Sequence, residues 1–205
     1  MTSITHIAPV IPVVTIDDPE NAVPIARALL DGGVGVIELT LRTPTALDSL
    51  ARIARQVPEI VVGAGTVLDA PTVERAAAAG AQFLVSPGTT PTLLAAMERS
   101  ALPFLPGAAT VSEAMVLLER GHTRLKLFPA VAAGGTALLA SIAGPLPQLR
   151  FCPTGGITSQ TAPDFLALRN VDCVGGSWFT PADAVAARDW SRVSELAAQS
   201  LALRP

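Results

Sequence analysis

The sequence is poor in charge, in aromatic rings and in the side chains that most often bind metals. Only 15% of its 205 residues are charged, and half are apolar; the usual charged share is about 25%. Such a chain can bury a large core, which excludes intrinsic disorder and an acidic tail. Tyrosine is absent, and aromatics make up 4%. Two cysteines and two histidines are too few for a disulfide framework or a Cys/His zinc site. A net charge of −3 gives no general pull toward nucleic acid or an anionic membrane. No apolar run reaches the roughly 18 residues of a membrane span. The first six residues lack the basic region and long apolar stretch of a secretory signal, so a soluble, cytoplasmic protein is expected.

Lysine is nearly missing as well. Among 14 basic residues the one lysine is Lys126, and the rest are arginine. A GC-rich coding bias accounts for the arginines but not for the exception, which lies inside an apolar segment.

What the chain does have is a repeat. Short apolar or β-branched runs begin near Ile7, Val34, Ile60, Ala81, Leu102, Thr123, Gln148 and Val171. Each is followed by an alanine- and leucine-rich stretch with helical spacing, such as Ala22, Ile25, Ala26, Leu29 and Leu30. Strands alternating with helices predict βα units and a parallel sheet. Asp18-Pro19, Thr43-Pro44, Thr90-Pro91 and Thr180-Pro181 each pair an N-cap residue with a proline at the first helical position. Thr110-Val111-Ser112-Glu113 matches a capping box. No linker divides the chain, so residues 1–205 are expected to form one domain. An open nucleotide-binding sheet should show G-x-G-x-x-G after its first strand, and Asp17-Asp18-Pro19-Glu20 follows instead. The regular spacing therefore predicts a compact α/β fold of the (β/α)8 TIM-barrel type, although such barrels usually run to about 250 residues.

Active sites of such barrels lie at the C-terminal ends of the strands. In Val36-Ile37-Glu38-Leu39-Thr40-Leu41-Arg42, alternation sends Glu38, Thr40 and Arg42 into the barrel and the apolar set toward the helices. A buried Glu38–Arg42 ion pair would account for the same pattern. In Arg124-Leu125-Lys126-Leu127-Phe128-Pro129 the same parity places Lys126 inside and Arg124 nearer the floor. An amine enclosed by Leu125, Leu127 and Phe128 is costly to keep charged, and a neutral amine can form a Schiff base with a ketone. A carboxylate from Glu38 nearby would oppose that effect. The bland alternative is a lysine that snorkels to water along its own stem. Thr154-Gly155-Gly156 and Gly175-Gly176-Ser177 end the seventh and eighth strands, where phosphate sites commonly form from backbone amides and a following helix N-terminus. His6 and His122 are not spaced as metal ligands, and His122 is expected on the floor side.

Together the segments Glu38–Arg42, Gly63–Val67, Ser86-Pro87-Gly88, Lys126–Ala130, Phe151–Ile157 and Gly175–Trp178 resemble the 2-keto-3-deoxy-6-phosphogluconate (KDPG) aldolase family. The likeness runs from the second strand to the eighth. It implies a class I, Schiff-base lyase with no cofactor and no metal, assembled as a homotrimer. It implies reversible cleavage of KDPG to pyruvate and glyceraldehyde 3-phosphate in the Entner-Doudoroff pathway of carbohydrate metabolism. Activity on 4-hydroxy-2-oxoglutarate is also implied. Lys126 would be the Schiff-base lysine and Glu38 the general acid/base. Arg42 and Thr66 would bind the pyruvyl carboxylate, and Pro87 and Phe128 would line the substrate. Thr154 would sit near the breaking bond. The backbones of Gly155, Gly156, Gly176 and Ser177 would hold the phosphate. Three other readings remain at this point. Aldolases for the galactonate epimer tend to carry an apolar residue where Thr154 stands. A metal-dependent phosphosugar epimerase would need His/Asp ligands at strand ends. A non-catalytic phosphometabolite-binding barrel would have no use for Lys126 or Glu38.

Overall fold

Apolar runs punctuated by proline and glycine become short strands. In the computed structural model, which describes residues 4–203, these are β1 (Val10–Val14), β2 (Val36–Thr40), β3 (Val61–Gly65), β4 (Phe83–Val85), β5 (Phe104–Leu105), β6 (Gly107–Ala108), β7 (Arg124–Leu127), β8 (Arg150–Pro153) and β9 (Val174–Gly176). All the pairings are parallel. One sheet runs β5-β4-β3-β2-β1-β9 and a second runs β6-β7-β8. Two seams join them into a closed ring. Between β5 and β6 stands Pro106, which has no N–H for the ladder. Its carbonyl still accepts from the Lys126 amide at 2.9 Å, so the broken strand links β4 to β7. Between β8 and β9 the link is made by bridges at Phe151–Val171 and Thr154–Gly175. Counting β5 and β6 as two halves of one strand, this is the expected eight-stranded barrel, and the open doubly wound alternative falls away.

The wall is largely buried on both faces, as parallel strands covered by helices require. All five residues of β2 are buried, and Ile37 and Leu39 face the helices as alternation predicts. The outer layer consists of α1 (Ala22–Asp31), α2 (Ala46–Gln56), α3 (Ala70–Ala78), α4 (Pro91–Arg99), α5 (Val111–Glu119), α6 (Gly135–Ile142), α7 (Ala162–Leu166), α8 (Ala182–Ala187) and α9 (Trp190–Leu201).

Local capping follows the sequence in part. Thr90 accepts from the Leu93 amide at 3.2 Å, and both bonds of the Thr110–Glu113 capping box form. Asp18 caps a 3-10 turn over Pro19–Asn21 that leads into α1. Two expected caps do not form. Thr43 and Thr45 give their hydroxyls to the Ile16 carbonyl at 2.7 and 3.1 Å. They tie the loop to the end of β1, and α2 starts only at Ala46 without a side-chain cap. At α8 the N-cap is Pro181 itself rather than Thr180.

The floor of the barrel is held by one buried carboxylate. Asp172 Oδ1 accepts from Arg150 Nε at 2.6 Å, and its Oδ2 accepts from Arg124 Nε and Thr5 Oγ1, each at 3.2 Å. The 3-10 turn Ile4–His6 is thereby fastened to β7, β8 and the start of β9. Arg124 thus lies at the floor, as alternation predicts. His122 lies on the same side, 3.1 Å from Glu98 and against the Phe104 ring. The Glu98 carboxyl is held below its ordinary range, chiefly by the hydrogen bond to His122.

Asp172→Ala should therefore loosen the floor without touching the mouth. Hydrogen bonds to charged groups contribute about 1.5–3 kcal/mol each. The arginines, 42% and 41% exposed, recover much of that from water. A net loss of about 2 kcal/mol, or roughly 4–8 °C in Tm, is the expected result of thermal unfolding.

Candidate active site

The single lysine and the strand-end carboxylate meet inside the barrel. Lys126 extends from β7 and Glu38 from β2, and Nζ lies 3.0 Å from Oε1. Their side chains are 6% and 3% exposed. Lys126 therefore does not snorkel to water. Nor does Glu38 form the ion pair with Arg42 that the sequence left open, since its partner is Lys126. The Phe128 ring centroid lies 5.5 Å from Nζ, a distance at which the aromatic face attracts a cation.

Space for the carboxylate comes from β3. Thr40 pairs with Gly65 and Glu38 with Gly63 in register. A Cβ at residue 65 would fall 2.3 Å from Glu38 Oε1, so only glycine admits the acid there. Thr66 follows with φ +61, a left-handed conformation that is strained for a β-branched residue. Ser86, buried at the end of β4, accepts from the Gly107 amide at 3.2 Å and fixes the chain as it enters Pro87, which is half-buried.

On the far side, Thr154 is buried and its hydroxyl has no hydrogen-bond partner among the described residues. An unpaired buried hydroxyl costs about 1–3 kcal/mol, and this one is free to meet a polar group. Gly175 leaves room for it, because a Cβ there would meet Thr154 Oγ1 at 2.3 Å. The chain then turns through Gly155 and Gly156 at φ +105 and +80, with Gly155 against the Phe128 ring. Gly176 ends β9 beneath the Trp178 ring, and Ser177 is exposed beyond it. The sequence also expected helix N-termini at these glycines. The helices begin only at Ala162 and Ala182 and are short, so none abuts either pair.

Arg42 stands apart from the pair. It is exposed at the mouth, and its Nη2 donates to Thr15 Oγ1 at 3.0 Å. Thr15 went unnoticed in the sequence although a signal was present. It is the polar residue in the run Val10–Ile16, and it shares parity with Val13, which pairs with Glu38.

The Gly65 contact gives a direct test. Gly65→Ala should push the Glu38 carboxylate out of hydrogen-bond range of Lys126, and overpacking of this kind costs about 1–3 kcal/mol. A crystal structure of the variant measures the separation, and an unchanged 3.0 Å contact would contradict the steric argument.

Comparison with known proteins gives the family of this chain. Residues 1–196 match the family model described as KDPG and KHG aldolase. The KHG/KDPG aldolase of Escherichia coli K12 is 49% identical over 199 residues, covering 97% of this chain and 93% of that protein. A Legionella pneumophila KDPG aldolase, solved with pyruvate captured at low pH as a covalent carbinolamine intermediate, superposes with a TM-score of 0.94. It is 45% identical, and the match covers 96% of each chain. A KDPGal structure shares the fold at a TM-score of 0.83 but only 24% identity, over 95% of this chain and 93% of that one. A family match along nearly the whole length, joined to close identity with characterised members, means that this chain belongs to the KDPG and KHG aldolase family.

Proposed function

We propose that this protein is a class I aldolase that reversibly cleaves KDPG to pyruvate and glyceraldehyde 3-phosphate, and that 4-hydroxy-2-oxoglutarate is a second substrate. The observation that carries the reading is the buried amine–carboxylate contact between Lys126 and Glu38. Proton transfer from the ammonium to the carboxylate across 3.0 Å leaves a neutral amine and a carboxylic acid. The amine attacks the C2 ketone, and Glu38 protonates the departing hydroxyl, which leaves as water. The resulting iminium withdraws electrons from the C3–C4 bond. Glu38, now a carboxylate, takes the proton of the C4 hydroxyl as that bond breaks. Glyceraldehyde 3-phosphate departs and an enamine stays on Lys126. Protonation at C3 and addition of water to the iminium then release pyruvate and restore the amine. One acid/base serves every proton transfer because it sits beside the nitrogen throughout.

The remaining roles follow from position. Arg42 and Thr66 take the carboxylate next to the ketone, while Pro87 and Phe128 shape the pocket. The Thr154 hydroxyl receives a substrate oxygen near the bond that breaks. Amides of Gly155, Gly156, Gly176 and Ser177 take the phosphate without help from a helix terminus. A galactonate substrate fits less well, because the unpaired polar group at Thr154 favours the gluconate configuration. Identity also falls to 24% for the KDPGal structure.

On this reading residues 1–205 form one domain, supported by a single apolar cluster that runs from Ile4 to Ala197. No helix among the described residues is long and apolar enough to cross a membrane. A cytoplasmic location rests on the substrate and products, anions that do not cross a bilayer unaided. Assembly as a homotrimer is supported by α5, where Val111, Met115 and Val116 are 40%, 46% and 55% exposed. Val116 also lines a groove of about 440 Å³ between α4 and α5, together with Pro91, Leu94 and Leu117. Exposed apolar area of this kind marks interaction surfaces.

Two measurements test the reading. Borohydride trapping with pyruvate should add one adduct at Lys126, and Lys126→Arg should fold, give no adduct at that position and lose nearly all cleavage activity. Cleavage retained by Lys126→Arg, or an adduct on the α-amine instead, would remove the nucleophile from the mechanism. Sedimentation at micromolar concentration should show a trimer, and Met115→Asp should shift it toward monomer by placing a charge on the apolar face.

A further inference from the structure

Arg42 ends a hydrogen-bond chain whose direction is fixed at its other end. Thr40 Oγ1 donates to the Val14 carbonyl at 3.2 Å, and that acceptor can only accept. The Thr40 hydroxyl has one proton, so at its 2.8 Å contact with Thr15 it must be the acceptor and Thr15 the donor. With its own proton spent, Thr15 Oγ1 meets Arg42 through a lone pair, at 3.0 Å from Nη2. The chain thus runs Arg42 to Thr15 to Thr40 to the backbone of β1, with each donor and acceptor matched. Thr40 is buried, so the inner end is rigid, while Arg42 is exposed. Without this tether an exposed arginine samples many rotamers, and binding an anion with it requires freezing them.

We propose that Thr15 is a positioning residue that holds the Arg42 guanidinium at the mouth of the barrel, ready for the carboxylate of a 2-oxo acid. This rests on the reading of Arg42 as the carboxylate ligand. Thr15 touches neither amine nor acid of the reacting pair in this geometry, so it acts through Arg42. Its effect is therefore confined to ligands that carry the carboxylate. A planar guanidinium fixed at one Nη keeps its other N–H groups in a set plane, which favours a paired approach to the two carboxylate oxygens. Preorganisation of this kind appears in half-saturation by the keto acid more than in the rate of the later chemical steps.

The test uses borohydride trapping of the full-length enzyme, with pyruvate and with acetone, a ketone that lacks the carboxylate. Thr15→Val keeps the β-branched shape and removes the hydroxyl. It should raise the pyruvate concentration for half-maximal trapping about 3- to 10-fold and leave acetone trapping unchanged. Thr15→Ser keeps the hydroxyl and should restore the wild-type value. Thr15→Ala provides a second deletion should the valine pack poorly. In an Arg42→Ala background, Thr15→Val should add nothing, because the partner is gone. Four results would overturn the inference: no change in Thr15→Val and Thr15→Ala, an equal effect on acetone, no rescue by serine, or an effect that persists without Arg42. Failure of the underlying reading is distinguishable, since Arg42→Ala would then itself leave pyruvate half-saturation unchanged.

Discussion

The structure depends most on keeping an ammonium and a carboxylate together in a nearly buried site, their side chains 6% and 3% exposed. Each buried charge carries a desolvation penalty of several kcal/mol, which mutual attraction offsets only at close range and with good geometry. The 3.0 Å contact between Lys126 and Glu38 meets that condition, and the surrounding wall is arranged around it. Glycine at residue 65 leaves space for the acid, Phe128 lies within reach of the cation, and the carbonyl of Pro106 fixes the backbone of Lys126 itself. Neither charge would be tolerable alone. The closed barrel makes the pair possible, because it brings β2 and β7 to opposite sides of one interior.

Polarity is divided between the two ends of that interior. At the floor, Asp172 has both oxygens engaged by Arg150, Arg124 and Thr5, which is how buried charge looks when its role is structural. At the mouth the polar groups are incompletely satisfied. Among the described residues the Thr154 hydroxyl has no partner, Thr66 holds a strained backbone, and Arg42 is exposed. At Thr154 and Thr66 an unspent hydroxyl and local strain lie where a ligand can use them. The same division leaves the floor network and the lysine pair with no shared hydrogen bond.

Much of this was legible along the chain. The spacing of apolar runs identified all eight barrel strands, because each βα unit must bury the same kind of surface. Side-chain alternation placed Glu38 and Lys126 inside and Arg124 at the floor, since parity in a strand is a local property. The rarity of lysine singled out Lys126. Caps were read less well. Thr43 carries the right residue type, yet its hydroxyl is taken by the carbonyl of Ile16 in the loop after β1, a competitor that local sequence does not reveal. Pro106 was likewise not read as a break in the fifth strand.

The sequence by itself determined the architecture, the polar residues at the strand ends and the identity of the one buried amine. These follow from periodicity and composition, which act over a few residues. Only the tertiary structure decided partnership. Glu38 might have paired with Arg42, four residues away, yet it pairs with Lys126 across 88 positions. Arg42 instead reaches Thr15, just past the end of the neighbouring β1. Both choices are set by closure of the barrel, which converts the order of strands into distances across its interior.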